Sequence, residues 1–113
     1  MSTRAAIGIK NEQGITAMYC HYDGYPSHVG KVLQNHFKTL EQVKEIVKRA
    51  PAVRSLSPEG EIERFDEDIS GQYRANDPQE ALAGFDYLYL FENDVWTCYK
   101  QGLSGLQTVA IPA

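Results

Sequence analysis

Residues 85–100 read FDYLYLFENDVWTCYK, and this stretch decides the fold. Aromatic side chains occupy residues 85, 87, 89 and 91, and leucines occupy residues 88 and 90. Since successive side chains of a strand point to opposite faces, both faces of this strand are apolar, which is typical of the middle of a sheet. Residues 92–94 (END) predict a turn and residues 95–100 the returning strand. Residues 106–113 (LQTVAIPA) are expected to add an edge strand.

A second hairpin is predicted near the N-terminus. Residues 4–10 (RAAIGIK) alternate, with Ile7 and Ile9 on one face and Arg4, small residues and Lys10 on the other. Gly14 can adopt a positive φ, so it predicts a tight turn before a partner strand at residues 15–22 (ITAMYCHY).

Three helices are predicted between the hairpins. Ser27 is the expected N-cap of the first, because Pro26 excludes helix before it and an amphipathic stripe follows. Thr39 begins a capping box that predicts a second helix ending at Pro51. Asp77 predicts the N-cap of a short third helix closed by Gly84. The apolar stripe of the first helix is formed by Val29, Val32, Leu33, His36 and Phe37.

The predicted fold class is α+β. Residues 51–77 mix turn and acidic residues and predict loops around one short strand at residues 62–65. We therefore expect an antiparallel sheet of about four to six strands, containing the N-terminal and C-terminal hairpins and covered on one side by two or three helices. A length of 113 residues predicts a single domain over residues 1–113.

Composition narrows the function classes. A net charge of -4 and a pI of about 5.3 make a nucleic-acid partner unlikely, because phosphate binding requires a basic face. A small anion held by one or two cationic side chains stays open. No apolar run approaches the length of a membrane span, so we expect no membrane partner and a cytoplasmic location. Cys20 and Cys98 lie in apolar strands and are expected to be partly buried, reduced thiols.

The densest chemistry lies in residues 19–33, YCHYDGYPSHVGKVL. Cys20 and His21 are neighbours on a strand, so their side chains point to opposite faces and form no nucleophile–base pair. The spacing of His21, His28 and His36 matches no metal-binding motif. We therefore predict no catalytic residue, no metal site and no cofactor.

Two binding modes remain open for this stretch. The helix start, with Ser27 and Lys31, can hold an anion, whereas in the plainer alternative Ser27 caps the helix and Lys31 is solvated. Aromatic rings can stack a ligand or dock a protein, although most aromatic side chains of sheets are packing residues. The predicted ligand- or partner-binding residues are Arg4, His21, Tyr22, Asp23, Tyr25, Ser27, Lys31 and Trp96.

The first 37 or so residues carry a resemblance to a known family. An MSTR start, an IxI strand and a box of the form YCHxDGYPxxVGxxL are similar to those of small uncharacterised bacteriophage and prophage proteins. The late YLYLF…W…Y run resembles the closing hairpin of that family. The resemblance implies a phage-encoded accessory protein, acting in the host bacterial cytoplasm, that antagonises a host defence component by binding it without catalysis.

Two alternatives accompany that function. The chain could instead sequester a small nucleotide-like anionic signal, through Arg4, Ser27 and Lys31 with stacking from Tyr22 or Tyr25. A small hydrolase is the least favoured, because no converging catalytic groups are evident. The two-sided apolar strands present more surface than three short helices can cover, so a homodimer or larger homo-oligomer is also expected.

Overall fold

A computed structural model describes residues 3–48, 51–67 and 70–112. Within them, eight strands form one mixed sheet with three short α-helices. The predicted stretches of the second helix at residues 49–50 and of the loop at residues 68–69 lie outside the described residues. The strands are β1 (Ala5–Asn11), β2 (Gly14–Cys20), β3 (Val53–Leu56), β4 (Ile62–Arg64), β5 (Gln72–Ala75), β6 (Tyr87–Glu92), β7 (Val95–Gly102) and β8 (Gly105–Val109). The helices are α1 (Lys31–His36), α2 (Leu40–Ile46) and α3 (Pro78–Leu82), and a π-helical turn (Pro26–Gly30) leads into α1.

The strand order is β4-β3-β2-β1-β6-β7-β8, with β5 paired to β2 beside β3. Both predicted hairpins, β1–β2 and β6–β7, are present and antiparallel. They join through β1 and β6, which run parallel, and β2 pairs in parallel with β3. The expected antiparallel sheet of about four to six strands is therefore wrong in extent and direction. The prediction failed because pairing between distant segments leaves no local turn signal.

Helices cover both faces of the sheet, not one as predicted. On the first face, α1, α2 and the π turn pack on alternate residues of the central strands, including Ile7, Met18 and Tyr89. On the second face, α3 packs on the intervening residues, including Ala17 and Leu88. β6 lies between β1 and β7, as its two apolar faces predicted. Strands that are apolar on both faces must be shielded from water on both faces, and α3 packs against the second face.

Turns and helix caps were predicted correctly where their hydrogen bonds join residues only a few positions apart. Gly14 has a φ of 111° in the first turn, and Thr39 and Gln42 form the predicted capping box of α2. The Asp77 side chain accepts from the Glu80 amide at the start of α3. Ser27 is not an N-cap, because helical winding already begins at Pro26 and Tyr25 occupies the cap position without a side-chain bond.

Other boundaries also differ from expectation. α2 ends at Ile46 and does not continue to Pro51. β3 and β5 occupy segments that were predicted as loops. On α1, His36 is exposed, whereas the rest of its predicted stripe is buried. In the described part of the chain, no helix is long and apolar enough to cross a membrane.

Candidate functional site

The DGYP turn has an inner side that belongs to the core. The buried Tyr89 hydroxyl donates to the Gly24 carbonyl at 2.6 Å, and the Gly24 amide donates to the Thr3 carbonyl at 2.9 Å. A Cβ at Gly24 would lie 2.7 Å from the Ala5 Cβ, so glycine is required by close packing. Asp23, with a φ of 56°, makes the preceding bend in the left-handed region. This half of the turn anchors the π turn to the sheet.

The π turn is packed just as tightly on its inner side. A Cβ at Gly30 would lie 2.8 Å from Ile111 Cγ2 and 3.4 Å from Tyr89 Cε1. The backbone at Gly30 is therefore packed closely against β6 and the C-terminal segment. The His28 Nε2 bonds to the Leu56 carbonyl at 2.8 Å and ties the π turn to β3. These contacts explain much of the unusual composition of the turn by structure alone.

The outer side of the π turn carries two predicted binding residues. Ser27 and Lys31 line a shallow cleft of about 200 Å³ together with His28, Asn35 and other neighbours. Tyr25 lies beside it, with its ring centroid 6.2 Å from that of His28, and is 39% exposed. This cleft belongs to the first face of the sheet.

A second group of predicted residues meets on the opposite face, at the end of β2. The rings of Tyr19, His21, Tyr22 and Phe65 form what we call the aromatic cluster. His21 is at its centre, with ring centroids 4.4 Å from Tyr22, 5.6 Å from Tyr19 and 5.7 Å from Phe65. Tyr22 is 43% exposed, and the other three are half-buried. The cluster continues through Phe85 to Tyr73, which stacks on Phe85 at 5.7 Å.

Polar contacts fix the geometry of the aromatic cluster. The Tyr19 hydroxyl is hydrogen-bonded to His21 Nδ1, and the Arg4 guanidinium interacts with the same hydroxyl. Burial raises the pKa of Tyr19 above its ordinary value, and the nearby Arg4 only partly offsets this effect. The Tyr19 phenol therefore keeps its proton at neutral pH. It serves as a hydrogen-bonding group, not as an activated nucleophile.

An apolar cleft of about 420 Å³ opens beside the aromatic cluster. Its walls include Tyr19 and Phe65, and the exposed Arg54 of β3 lies on its rim. Asp66 and Glu67 contribute acidic side chains to the same cleft. The opening therefore offers ring surfaces, one cation and two carboxylates to a partner.

A larger cleft of about 880 Å³ lies at the opposite end of the central strands. It is bordered by the tips of both central hairpins and by α2. Charged side chains such as Lys44 and Asp94 line it together with apolar ones such as Leu40. Lys10 lines this cleft and pairs with Glu92 at 3.5 Å. Lys10 therefore lies at the opposite end of β1 from Arg4, which directly precedes the strand.

Trp96 belongs to neither group. Its indole Nε1 donates to the Phe37 carbonyl at 2.8 Å, and its ring packs 5.1 Å from that of Phe91. The contact holds the C-terminal end of α1 against β7. The structure therefore gives Trp96 a packing role and places it apart from the other predicted binding residues.

Neither cysteine is an activated nucleophile, and the described residues contain no metal-binding cluster. Burial raises the pKa of Cys20 to about 12 and that of Cys98 to about 11, so both thiols stay protonated at neutral pH. Both are free, as predicted, and they are buried more fully than the expected partial burial. Within the residues that the structure describes, no three His, Cys, Asp or Glu side chains are grouped to hold a metal ion.

The structure thus divides the predicted site. Arg4, His21 and Tyr22 come together, whereas Tyr25, Ser27 and Lys31 lie on the other face. Sequence reasoning missed Arg54 and Phe65, which reach the aromatic cluster only because β3 pairs with the end of β2. The alternation of β2 did place Tyr19 and His21 on one face, and that was the one available signal.

No family model, no curated protein and no solved structure matches this chain.

Proposed function

We propose that this chain is a non-enzymatic binding protein that antagonises a component of a host's anti-phage defence. The observation that supports this proposal is the aromatic cluster, whose partly exposed rings are bordered by the exposed cations Arg4 and Arg54. The phage context and a site of action in the host bacterial cytoplasm come from the resemblance of the first residues to phage proteins.

Protein interfaces favour this composition for a physical reason. Tyrosine and arginine bury a large contact area while retaining polar groups that can bond across the interface. In the aromatic cluster, ring contacts already restrict Tyr22, and β-sheet hydrogen bonds hold the backbone beneath it, since the Tyr22 amide donates to the Arg54 carbonyl at 2.8 Å. A partner that covers these rings therefore pays little additional side-chain entropy.

The test is phage plating on host strains that each carry one defence system, with and without this chain. The parent should restore plating on a strain whose defence it blocks. Tyr22→Ala and Arg54→Ala should each lower that restoration by roughly tenfold or more, because truncating an interface anchor costs about 2 kcal/mol of binding. Both variants should melt like the parent.

Matched controls locate the surface. Val95→Ala removes an apolar side chain that is 59% exposed on β7, away from the aromatic cluster, and should keep full activity. Tyr25→Ala and Lys31→Ala test the Ser27 cleft on the other face. Loss of activity in these two, with Tyr22→Ala and Arg54→Ala unaffected, would contradict the assignment to the aromatic cluster.

Sequestration of a nucleotide-like anion is the second candidate, and the cleft beside the aromatic cluster favours it. A volume of about 420 Å³ is within the range of small-molecule sites, and Tyr19, Phe65 and Arg54 offer ring surfaces and a cation. Asp66 and Glu67 in the same cleft oppose a highly charged anion. Mass spectrometry of molecules released by denaturing protein purified from infected cells separates the two candidates. A nucleotide released in equimolar amount supports sequestration and excludes the purely protein-directed function.

A further inference from the structure

The two ends of the sheet differ in how their edges are protected. One end is formed by β4 and β5, which carry Glu63, Arg64 and Arg74. Charged side chains and short length are common protections against pairing with another strand. The other end is β8, and residues 101–113 contain no charged residue. The β8 edge is therefore the one that another strand can approach without burying a charge.

The direction of the peptide groups on β8 follows from the turn between β6 and β7. Asn93 and Asp94 have φ values of 53° and 63°, as in the two-residue turn whose flanking residues form a hydrogen-bonded pair. Bonded and non-bonded pairs alternate along antiparallel strands. On β7, the peptide groups of Val95, Thr97 and Tyr99 therefore bond to β6, and those of the residues between them bond to β8. Lys100 is one of these, so Lys100 and its partner Gln107 form a hydrogen-bonded pair. The N–H and C=O groups of Leu106 and Thr108 then point away from β7.

We propose that two copies of this chain form a dimer by antiparallel pairing of their β8 strands, with the two-fold axis at Gln107. In this register, Leu106 of each copy exchanges N–H···O=C bonds with Thr108 of the other, so each outward peptide group finds a partner. The two Gln107 residues face each other on the axis, where their amide side chains can bond together. This dimer does not depend on the proposed function.

A second copy fits this edge for reasons of charge and symmetry. Each chain carries a net charge of -4, so self-association is opposed unless the contact itself is uncharged. β8 provides such a contact. Leu106 is 37% exposed and Thr108 is exposed, so both side chains gain cover from the neighbouring strand. Pairing by a two-fold axis uses the free edge on both copies and closes the assembly at two.

Sedimentation and light scattering at tens to hundreds of micromolar test the dimer. The parent should show twice the chain mass of 12.7 kDa. Thr108→Pro removes an outward amide without removing a bond to β7, so it should give a folded monomer. Thr108→Val keeps the amide and should stay dimeric. A parent that remains near 12.7 kDa, or one that forms larger assemblies, would overturn the proposal.

Variants at Gln107 test the position of the two-fold axis. They also test the dimer independently if Thr108→Pro does not fold. Gln107→Lys and Gln107→Glu each place like charges opposite one another and should weaken the dimer by roughly tenfold or more. Mixing the two variants should restore a dimer containing one copy of each. A dimer that neither variant weakens, or two weakened variants that do not pair with each other, would show that the contact lies elsewhere.

Discussion

The two faces of the sheet are closed in different ways. On the first face, α1, α2 and the π turn seal a core in which Tyr89 is fully buried and its hydroxyl is bonded to Gly24. On the second face, α3 is a helix of five residues and covers only part of the strands. The remaining surface is closed by rings that stay partly exposed, from Tyr73 to Tyr22.

This difference separates the two uses of aromatic residues in the chain. The Tyr89 hydroxyl donates an internal hydrogen bond and the side chain is fully buried, so Tyr89 contributes to stability and is not accessible to a partner. Tyr22 is 43% exposed, so it contributes less to stability and can contribute to binding. Variants on the two faces should therefore divide into those that change folding and those that change function.

The largest expected effect is on the first face. Leu33→Ala removes a fully buried side chain between α1 and the sheet and should lower the free energy of unfolding by about 3–5 kcal/mol. Leu82→Ala is the matched change on the second face and should cost about 2–3 kcal/mol, because the short α3 can relax into the space. Urea denaturation monitored by circular dichroism measures both. Equal losses would show that the two cores are equally rigid and would remove the asymmetry.

A smaller effect compares two tyrosine hydroxyls. Tyr89→Phe leaves the buried Gly24 carbonyl without its donor and should cost about 1–3 kcal/mol. Tyr73→Phe removes a bond to the Ala81 carbonyl on the more open face, where water can replace the donor, and should cost about 1 kcal/mol or less. Thermal melts of the two single variants give the comparison. A larger loss for Tyr73→Phe would place the better-sealed core on the α3 side.

The local elements of both faces could be predicted from sequence, since their signals lie within a few residues. Alternation located β1, β2, β6 and β7, and Thr39 with Gln42 located α2. The strands β3 and β5 were missed because each has only four residues and includes an exposed arginine. The parallel contacts were missed because they join segments far apart in the chain.

The same limit explains the division of the candidate site. His21 and Tyr22 stood out by composition, and the alternation of β2 placed Tyr19 beside His21. Phe65 and Arg54 lie at the cluster because Cys20 of β2 pairs with Val53 of β3, and no local sequence pattern predicts this pairing. Ser27 and Lys31 are close to Tyr22 in sequence, yet they line a separate cleft that Tyr22 does not reach. Short spacing along the chain was therefore a poor guide to shared location.

The buried thiols give a pH-dependent prediction. Burial raises the pKa of Cys20 to about 12 and of Cys98 to about 11, from an ordinary value near 9. Well below pH 9, the two thiols keep their protons in both the folded and the unfolded chain. As the pH rises through 9, the thiols of the unfolded chain lose protons that the folded chain retains, so the free energy of unfolding falls. Between about pH 8 and about pH 9.5, each thiol should account for a loss of up to about 1 kcal/mol.

The double variant Cys20→Ala/Cys98→Ala isolates this contribution. Its stability should decline less than that of the parent over the same pH interval, although its stability at neutral pH is lower because packing is lost. Urea denaturation at a series of pH values provides the slopes. Parallel slopes for the two proteins would mean that the thiols ionise equally well in the folded and unfolded states.

The smallest expected effect on stability is at the aromatic cluster. Tyr22→Ala truncates a side chain that is 43% exposed. Within the described residues, its hydroxyl forms no hydrogen bond. The free energy of unfolding should therefore change by about 0.5 kcal/mol or less. Tyr22→Phe is the matched control, since it keeps the ring contact with His21. If the ring carries the interaction, Tyr22→Phe retains the plating activity that Tyr22→Ala loses, while the melting temperatures of all three proteins stay close. A large drop in melting temperature for Tyr22→Ala would instead make the cluster part of the core, and the contrast between a sealed face and a proposed binding face would fail at the residue on which it most depends.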